Sequence, residues 1–175
     1  LFLDAQNKEN TYFVDTNTCN YAVFNHLAKK FEVHEIESPI PLLKAVKNTT
    51  ELEGFRLACR KDGVALSKFY YWLENRLSQQ PVTELEAAEQ LTWFRSQDKE
   101  YVSDSFGCIS AYGPNAALPH YSATPEQQSE IHPKGLYLVD SGAQYMHGTT
   151  DITRTMPLGE LTELEKEDYT LVLKG

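Results

Sequence analysis

Hydrophobic positions along the chain switch between two periods. Thr11 to Val14 is rich in β-formers, and Phe31 to Ile36 alternates, so both read as strands. Between them, Tyr21, Phe24, Leu27 and Ala28 keep helical spacing over Asn20 to Lys30. Ser38-Pro39-Ile40-Pro41 then breaks the pattern. A long helix follows, because Leu52, Phe55, Cys59, Leu66, Phe69, Leu73 and Leu77 recur at steps of three or four, apart from a gap around Gly63. Thr50-Glu-Leu-Glu53 supplies a capping box for its start and Pro81 ends it. Thr83-Glu-Leu-Glu86 opens a second helix to about Gln97, and Thr162-Glu-Leu-Glu165 a third towards Lys174. The aromatic residues on these helices are expected to pack in the core.

Between the last two helices the pattern turns to strands: Phe106 to Ala111, Leu136 to Asp140 and Thr149 to Met156. The last two flank a polar centre at Tyr145-Met146-His147-Gly148 and predict a hairpin. A fold about the bond between Tyr145 and Met146 puts Asp140 directly opposite Asp151. Directly opposed side chains have Cβ atoms roughly 4.5–5.5 Å apart, and like charges there destabilise a sheet. A hard divalent cation between them removes the repulsion, since such ions take carboxylate oxygens as ligands. The pattern alone leaves a second reading open, in which both are turn-flanking acids among Gly, Ser and Thr. His147, at the tip, is expected to be solvated and to point away from the carboxylates.

Two stretches resemble the pita-bread metallopeptidases, and within them aminopeptidase P most closely. The first is Asp140-Ser-Gly-Ala-Gln-Tyr with Gly148-Thr-Thr-Asp151-Ile-Thr-Arg-Thr155; the second is Gly113-Pro-Asn-Ala-Ala-Leu-Pro-His120-Tyr121. The resemblance runs from about Ile40 to Gly175. It implies that Asp140 binds one metal ion, that Asp151 bridges two, and that His120 contacts the substrate carbonyl or stabilises the tetrahedral intermediate. It implies two divalent ions sharing a hydroxide; Mn is the usual family assignment, and Zn or Co suits the same ligand types. The remaining family ligands, one His and two Glu, have no place within residues 1–175. Ala116 stands where the family often has Gly, which predicts a restricted loop backbone. Ser141, Thr149, Thr150 and Thr153 are expected to orient the carboxylates rather than act as nucleophiles, and Arg154 to enter an ion pair.

The implied fold class is α+β: the first half of a pita-bread catalytic domain (residues 41–175), preceded by the tail of an α/β domain (residues 1–40). The chain starts without Met and stops where the second half would begin, so it reads as a piece. Half a sheet leaves strand edges open, which allows copies to pair as a homodimer.

Composition narrows the partners. A net charge of −9 over 175 residues argues against nucleic acid, which needs a basic footprint. No run approaches the ~18 apolar residues of a membrane span, and Leu1-Phe-Leu-Asp4 reaches charge too soon for a secretory leader. Cys19, Cys59 and Cys108 lack metal or CxxC spacing. They suit buried apolar roles, no disulfide and a reducing, cytoplasmic compartment. The expected function is removal of an N-terminal residue from peptides with proline second. Alternatives are an Xaa-Pro dipeptidase or a metal-free peptide- or protein-binding module, the latter disfavoured because both Asp residues are present. The piece alone is expected to bind metal weakly and to turn nothing over.

Overall fold

The computed structural model describes residues 6–175; the Leu1 to Asp4 segment lies outside them. The described residues form two compact units that divide between Asn48 and Thr49.

In the first unit, β1 (Thr11–Val14) and β2 (Glu32–Glu35) pair in parallel. Parallel neighbours need a crossover, and α1 (Tyr21–Ala28) supplies it. The Asn20 side chain caps α1 by accepting from the Ala22 N–H at 2.9 Å. Val14, Leu27 and Phe31 form the core. The proline-rich stretch differs from the expectation. It forms a short helix, α2 (Ile40–Ala45), with Pro39 as its cap. A proline in the first turn forfeits no helical hydrogen bond, so Pro41 is compatible with it.

The second unit begins with α3 (Thr49–Leu77). After the short strand β3 (Val82–Thr83), Thr83 caps α4 (Glu84–Ser96) by accepting from the Glu86 N–H at 3.1 Å. Next come β4 (Tyr101–Asp104), β5 (Ile109–Tyr112), a 3-10 turn over Gly113–Ala117, β6 (Glu130–Ile131), β7 (Leu136–Ser141), β8 (Ala143–Tyr145), β9 (Gly148–Thr149) and β10 (Ile152–Pro157). α5 (Glu163–Lys174) ends the chain behind a complete capping box between Thr162 and Glu165. β7 is the centre of an antiparallel sheet in the order β10-β7-β5, and a second sheet has the order β4-β8-β9. Leu66, Phe69, Leu73 and Leu77 of α3 pack with Ala87 and Leu91 of α4 against Tyr137 and Val139 of β7. Burying one such Leu or Phe is worth about 1.5–3 kcal/mol.

Further sequence expectations need correction. The first strand of the sheet starts at Ile109 rather than Phe106, and β4 and β8 were not anticipated. At four and three residues these segments are too short for a period to show in sequence. Cys59 is exposed rather than buried. Tyr71 and Trp93 are 71% and 52% exposed, so these aromatic rings are on the surface and not in the core.

Candidate metal and substrate site

The hairpin exists, with its register moved by two residues. Tyr145 pairs with Gly148, so Met146 and His147 make the turn. Asp140 faces Thr153, not Asp151. Packing on α3 sets this turn. A Cβ on Gly54 would collide with the His147 carbonyl, and one on Gly148 would press on Phe55. The tip therefore seats against a glycine of α3, which local turn chemistry does not reveal. Gly142 is under a similar constraint, because a Cβ there would strike the Thr150 carbonyl and the Ser105 hydroxyl.

A shift of two preserves the face, since strand side chains alternate with period two. Asp140 and Asp151 both line an open cavity of about 500 Å³. Across the sheet, Thr153, Asp140 and Ile109 form one row. The Thr153 hydroxyl donates to Asp140 Oδ1 at 2.7 Å, fixing that carboxylate on one side, while Ile109 and Phe106 give the cavity an apolar wall.

His120 lines the same cavity. Its φ is +55°, and no other described non-glycine residue has positive φ. Ala116 does not need the left-handed conformation; Gly113 (φ +56°) and His120 adopt it instead. Such a backbone is uncommon outside Gly, although His is among the residues enriched there. The surrounding loop is held by Glu84, at the start of α4 and fully buried. Glu84 accepts from the Tyr112 N–H (2.6 Å), the Tyr121 hydroxyl (2.7 Å), the Ser129 N–H (2.7 Å) and the Asn115 amide (3.0 and 3.1 Å). Asn115 and Tyr121 thus brace the loop that carries His120. Burial, with Glu84 beside it, pushes the Tyr121 phenol up to about 12.

The other candidates fall elsewhere. His147 sits in the turn and pairs with Glu100 at 3.2 Å. His26 and His34 belong to the first unit, and His132 lies 3.8 Å from Glu130. Of the four hydroxyls, only Thr153 donates to a site carboxylate; Thr149 bonds Gln144 at 2.5 Å, and Ser141 and Thr150 enter a buried network on the other face. Arg154 donates to the Thr153 carbonyl at 2.7 Å. Cys108 is half-buried, and desolvation pushes its thiol up to about 12, which leaves it a poor nucleophile. Asp62, Arg95 and Glu84 escaped the sequence reading. Each is a charged residue on an otherwise apolar helical stripe, and that was their available signal.

Two carboxylates on one face of one cavity, one of them braced by a hydroxyl, suit part of the shell of a hard divalent cation. Among the described residues, no group of three or more His, Cys, Asp or Glu joins into a fuller cluster.

The model of metallopeptidase family M24 matches residues 53–175. The chain belongs to family M24. A probable Xaa-Pro aminopeptidase P from Botryotinia fuckeliana is 46% identical over 175 residues, covering 99% of this chain and 27% of that protein. One from Paracoccidioides brasiliensis is also 46% identical, over 98% of this chain and 28% of its own length. This M24 chain thus spans little more than a quarter of these relatives. Among solved structures, the X-prolyl aminopeptidase of Caenorhabditis elegans, described as a cytosolic enzyme with a di-nuclear active site, matches with a TM-score of 0.78 at 35% identity. That match covers 87% of this chain and 25% of the other. Prolidase from Pyrococcus furiosus matches at 0.74 and 26% identity, over 94% of this chain and 47% of its own. The mixed helix and strand fold is therefore part of the pita-bread architecture of M24 aminopeptidases and prolidases. Among the described residues, no helix is long and apolar enough to cross a membrane.

Proposed function

We propose that this M24 chain contributes part of the active site of a metal-dependent Xaa-Pro aminopeptidase. One observation carries the reading: Asp140 and Asp151 of the hairpin and His120 of a separate loop line one cavity. Asp140 and Asp151 would be the residues of this chain that hold two divalent ions, with Mn the expected metal. Bound ions of this kind polarise a carbonyl and yield a nucleophile from water at neutral pH. Thr153 keeps the Asp140 carboxylate oriented. His120 donates a hydrogen bond to the scissile carbonyl oxygen and stabilises the charge that develops there, a task suited to imidazole. Residues 1–40 are the end of an upstream α/β domain, and the protein works in the cytoplasm. Open strand edges permit pairing of two copies.

Aminopeptidase action is preferred over dipeptidase action because the 46%-identical relatives bear the former name, whereas the prolidase structure is 26% identical. The test is an assay of the full-length protein on Xaa-Pro-Yaa tripeptides and Xaa-Pro dipeptides, before and after chelation and Mn²⁺ return. Tripeptide cleavage that is lost on stripping and regained with Mn²⁺ is expected. Turnover that survives stripping, or that is confined to dipeptides, refutes the proposal. The 175-residue chain alone, with two carboxylates, is expected to bind Mn²⁺ weakly at one site and to release no product; two tight sites by calorimetry would contradict this.

A further inference from the structure

Behind the cavity, on the other face of the hairpin, lies an ion pair with almost no exposure: Arg95 of α4 and Asp62 of α3, 1% and 0% exposed. Arg95 Nε donates to Asp62 Oδ1 at 2.6 Å and Nη2 to Oδ2 at 3.0 Å, a two-pronged contact that fixes both planes. The pair then reaches both arms of the hairpin. Arg95 Nη2 donates to Ser141 Oγ at 3.1 Å and Nη1 to the Gly142 carbonyl at 3.3 Å. The Thr150 hydroxyl donates to Asp62 Oδ2 at 2.6 Å and accepts from the Ala143 N–H at 2.9 Å.

The attachment points carry the inference. Ser141 directly follows Asp140, and Thr150 directly precedes Asp151. In extended backbone, neighbouring side chains point to opposite faces. One buried ion pair therefore grips, from behind, the residue next to each carboxylate that faces the cavity. Stability alone is a weak reason for such a pair, since well-packed apolar residues of similar volume often do as well or better. We propose that Asp62 and Arg95 are positioning residues: by tying Ser141 and Thr150 to one rigid fork, they fix the separation of the Asp140 and Asp151 carboxylates and so set the affinity of that face for divalent metal. This rests on the reading of Asp140 and Asp151 as metal ligands.

The experiment uses the full-length protein, stripped by chelator and titrated with Mn²⁺, with bound and free ion followed by electron paramagnetic resonance and calorimetry. Ser141→Ala cuts one tie, and Thr150→Val cuts the other together with the acceptor of the Ala143 N–H; both leave the ion pair in place, and near-ultraviolet circular dichroism checks that the core is retained. Each is expected to weaken Mn²⁺ binding by about 10- to 100-fold, the usual effect of losing a partner that orients a ligand. Thr150→Ser keeps the hydroxyl and is expected to restore affinity to within about threefold of the parent, a rescue that a merely structural role would not require. Folded Ser141→Ala and Thr150→Val proteins that bind Mn²⁺ like the parent, beside an Asp140→Asn protein that does not, overturn the positioning role alone. Unchanged binding in Asp140→Asn and Asp151→Asn as well removes the metal reading itself, and the proposal with it.

Discussion

Two carboxylates in this chain are equally buried and held in opposite ways. Asp62 and Glu84 both have no exposure. Asp62 faces a cation, the Arg95 guanidinium, and adds the Thr150 and Tyr145 hydroxyls. Glu84 sits at the start of α4 and accepts only from neutral donors: two backbone N–H groups, an amide and a phenol. The positive end of the helix dipole favours a carboxylate at that position. A buried charge is tolerated only when its hydration is replaced, and here it is replaced once by a counter-charge and once by dipoles. Each solution also anchors a different part of the proposed site. Asp62 holds the hairpin with Asp140 and Asp151, and Glu84 holds the loop with His120.

The largest effect should come from unbalancing the charged solution. Arg95→Met leaves Asp62 buried without its partner, and breaking such a pair costs about 3–5 kcal/mol. Asp62→Leu together with Arg95→Met removes both charges and should recover much of that loss. Chemical denaturation of the four proteins of this cycle decides it. A double variant as unstable as Arg95→Met would show that the ion pair is needed for more than charge balance.

Glu84→Gln tests the neutral solution. It turns one acceptor oxygen into a donor that confronts the N–H and O–H groups already there, and each buried donor left unpaired costs about 1–3 kcal/mol. The destabilisation should be smaller than that of Arg95→Met. The functional signature should also differ: turnover falls as the His120 loop loosens, while Mn²⁺ affinity stays near that of the parent. Equal loss of Mn²⁺ affinity in Glu84→Gln and in the hairpin variants would erase the division of labour between the two carboxylates.

The same contrast explains what could be read from sequence. Elements with strong periodicity or caps were legible: α4 begins behind Thr83 and α5 behind Thr162, each where a side-chain oxygen satisfies the first-turn N–H groups. Asp140, Asp151 and His120 stood out because their motifs resemble a known family, and the three line one cavity. The hairpin register was not, because the contact of Gly54 with the tip, ninety-odd residues on in the chain, chooses the turn. Nor were Asp62, Arg95 and Glu84. On α4, Glu84, Ala87, Leu91 and Arg95 are the buried positions, a helical stripe with a charge at each end. Periodicity weighted by apolarity discards those ends, and only tertiary partners show that they belong inside. The aromatic side chains failed in the reverse sense: Trp93 is apolar enough to be taken for core, yet α4 turns it outward.

His120 should separate backbone strain from chemistry. Left-handed backbone costs an L-residue roughly 1–2 kcal/mol, less for Asn and its like, whose short polar side chains bond locally. His120→Asn should therefore change stability by no more than about 0.5 kcal/mol and leave Mn²⁺ binding intact. Turnover should fall by about 10²- to 10⁴-fold, the usual worth of a positioned acid or base. Full activity in His120→Asn would make the residue a loop element and nothing more.

The smallest effect concerns a third group of carboxylates, near the surface. The Lys61 ammonium hydrogen-bonds Asp98 (2.8 Å) and Glu100, and holds both carboxyls below their ordinary range; the His147 ring adds to the effect on Glu100. The same bonds raise Lys61. A depressed carboxyl gives stability that is complete above its unfolded value, about 4, and that is lost as pH falls through the lower folded value. A raised lysine gives stability that is complete below its unfolded value, about 10.4, and that is lost only as pH climbs past the folded one. Lys61→Met should thus lower stability slightly and evenly between about pH 5 and 9, because solvent still screens these partly exposed pairs. The gap from the parent should begin to close as pH drops below about 4 and vanish only below the depressed folded values, where both proteins have lost the carboxylates' charge. Thermal unfolding at a series of pH values reads the gap directly. A gap that persists undiminished in strong acid would mean that the Lys61 stem acts by packing, and that this cluster, unlike Asp62, owes nothing to its charge.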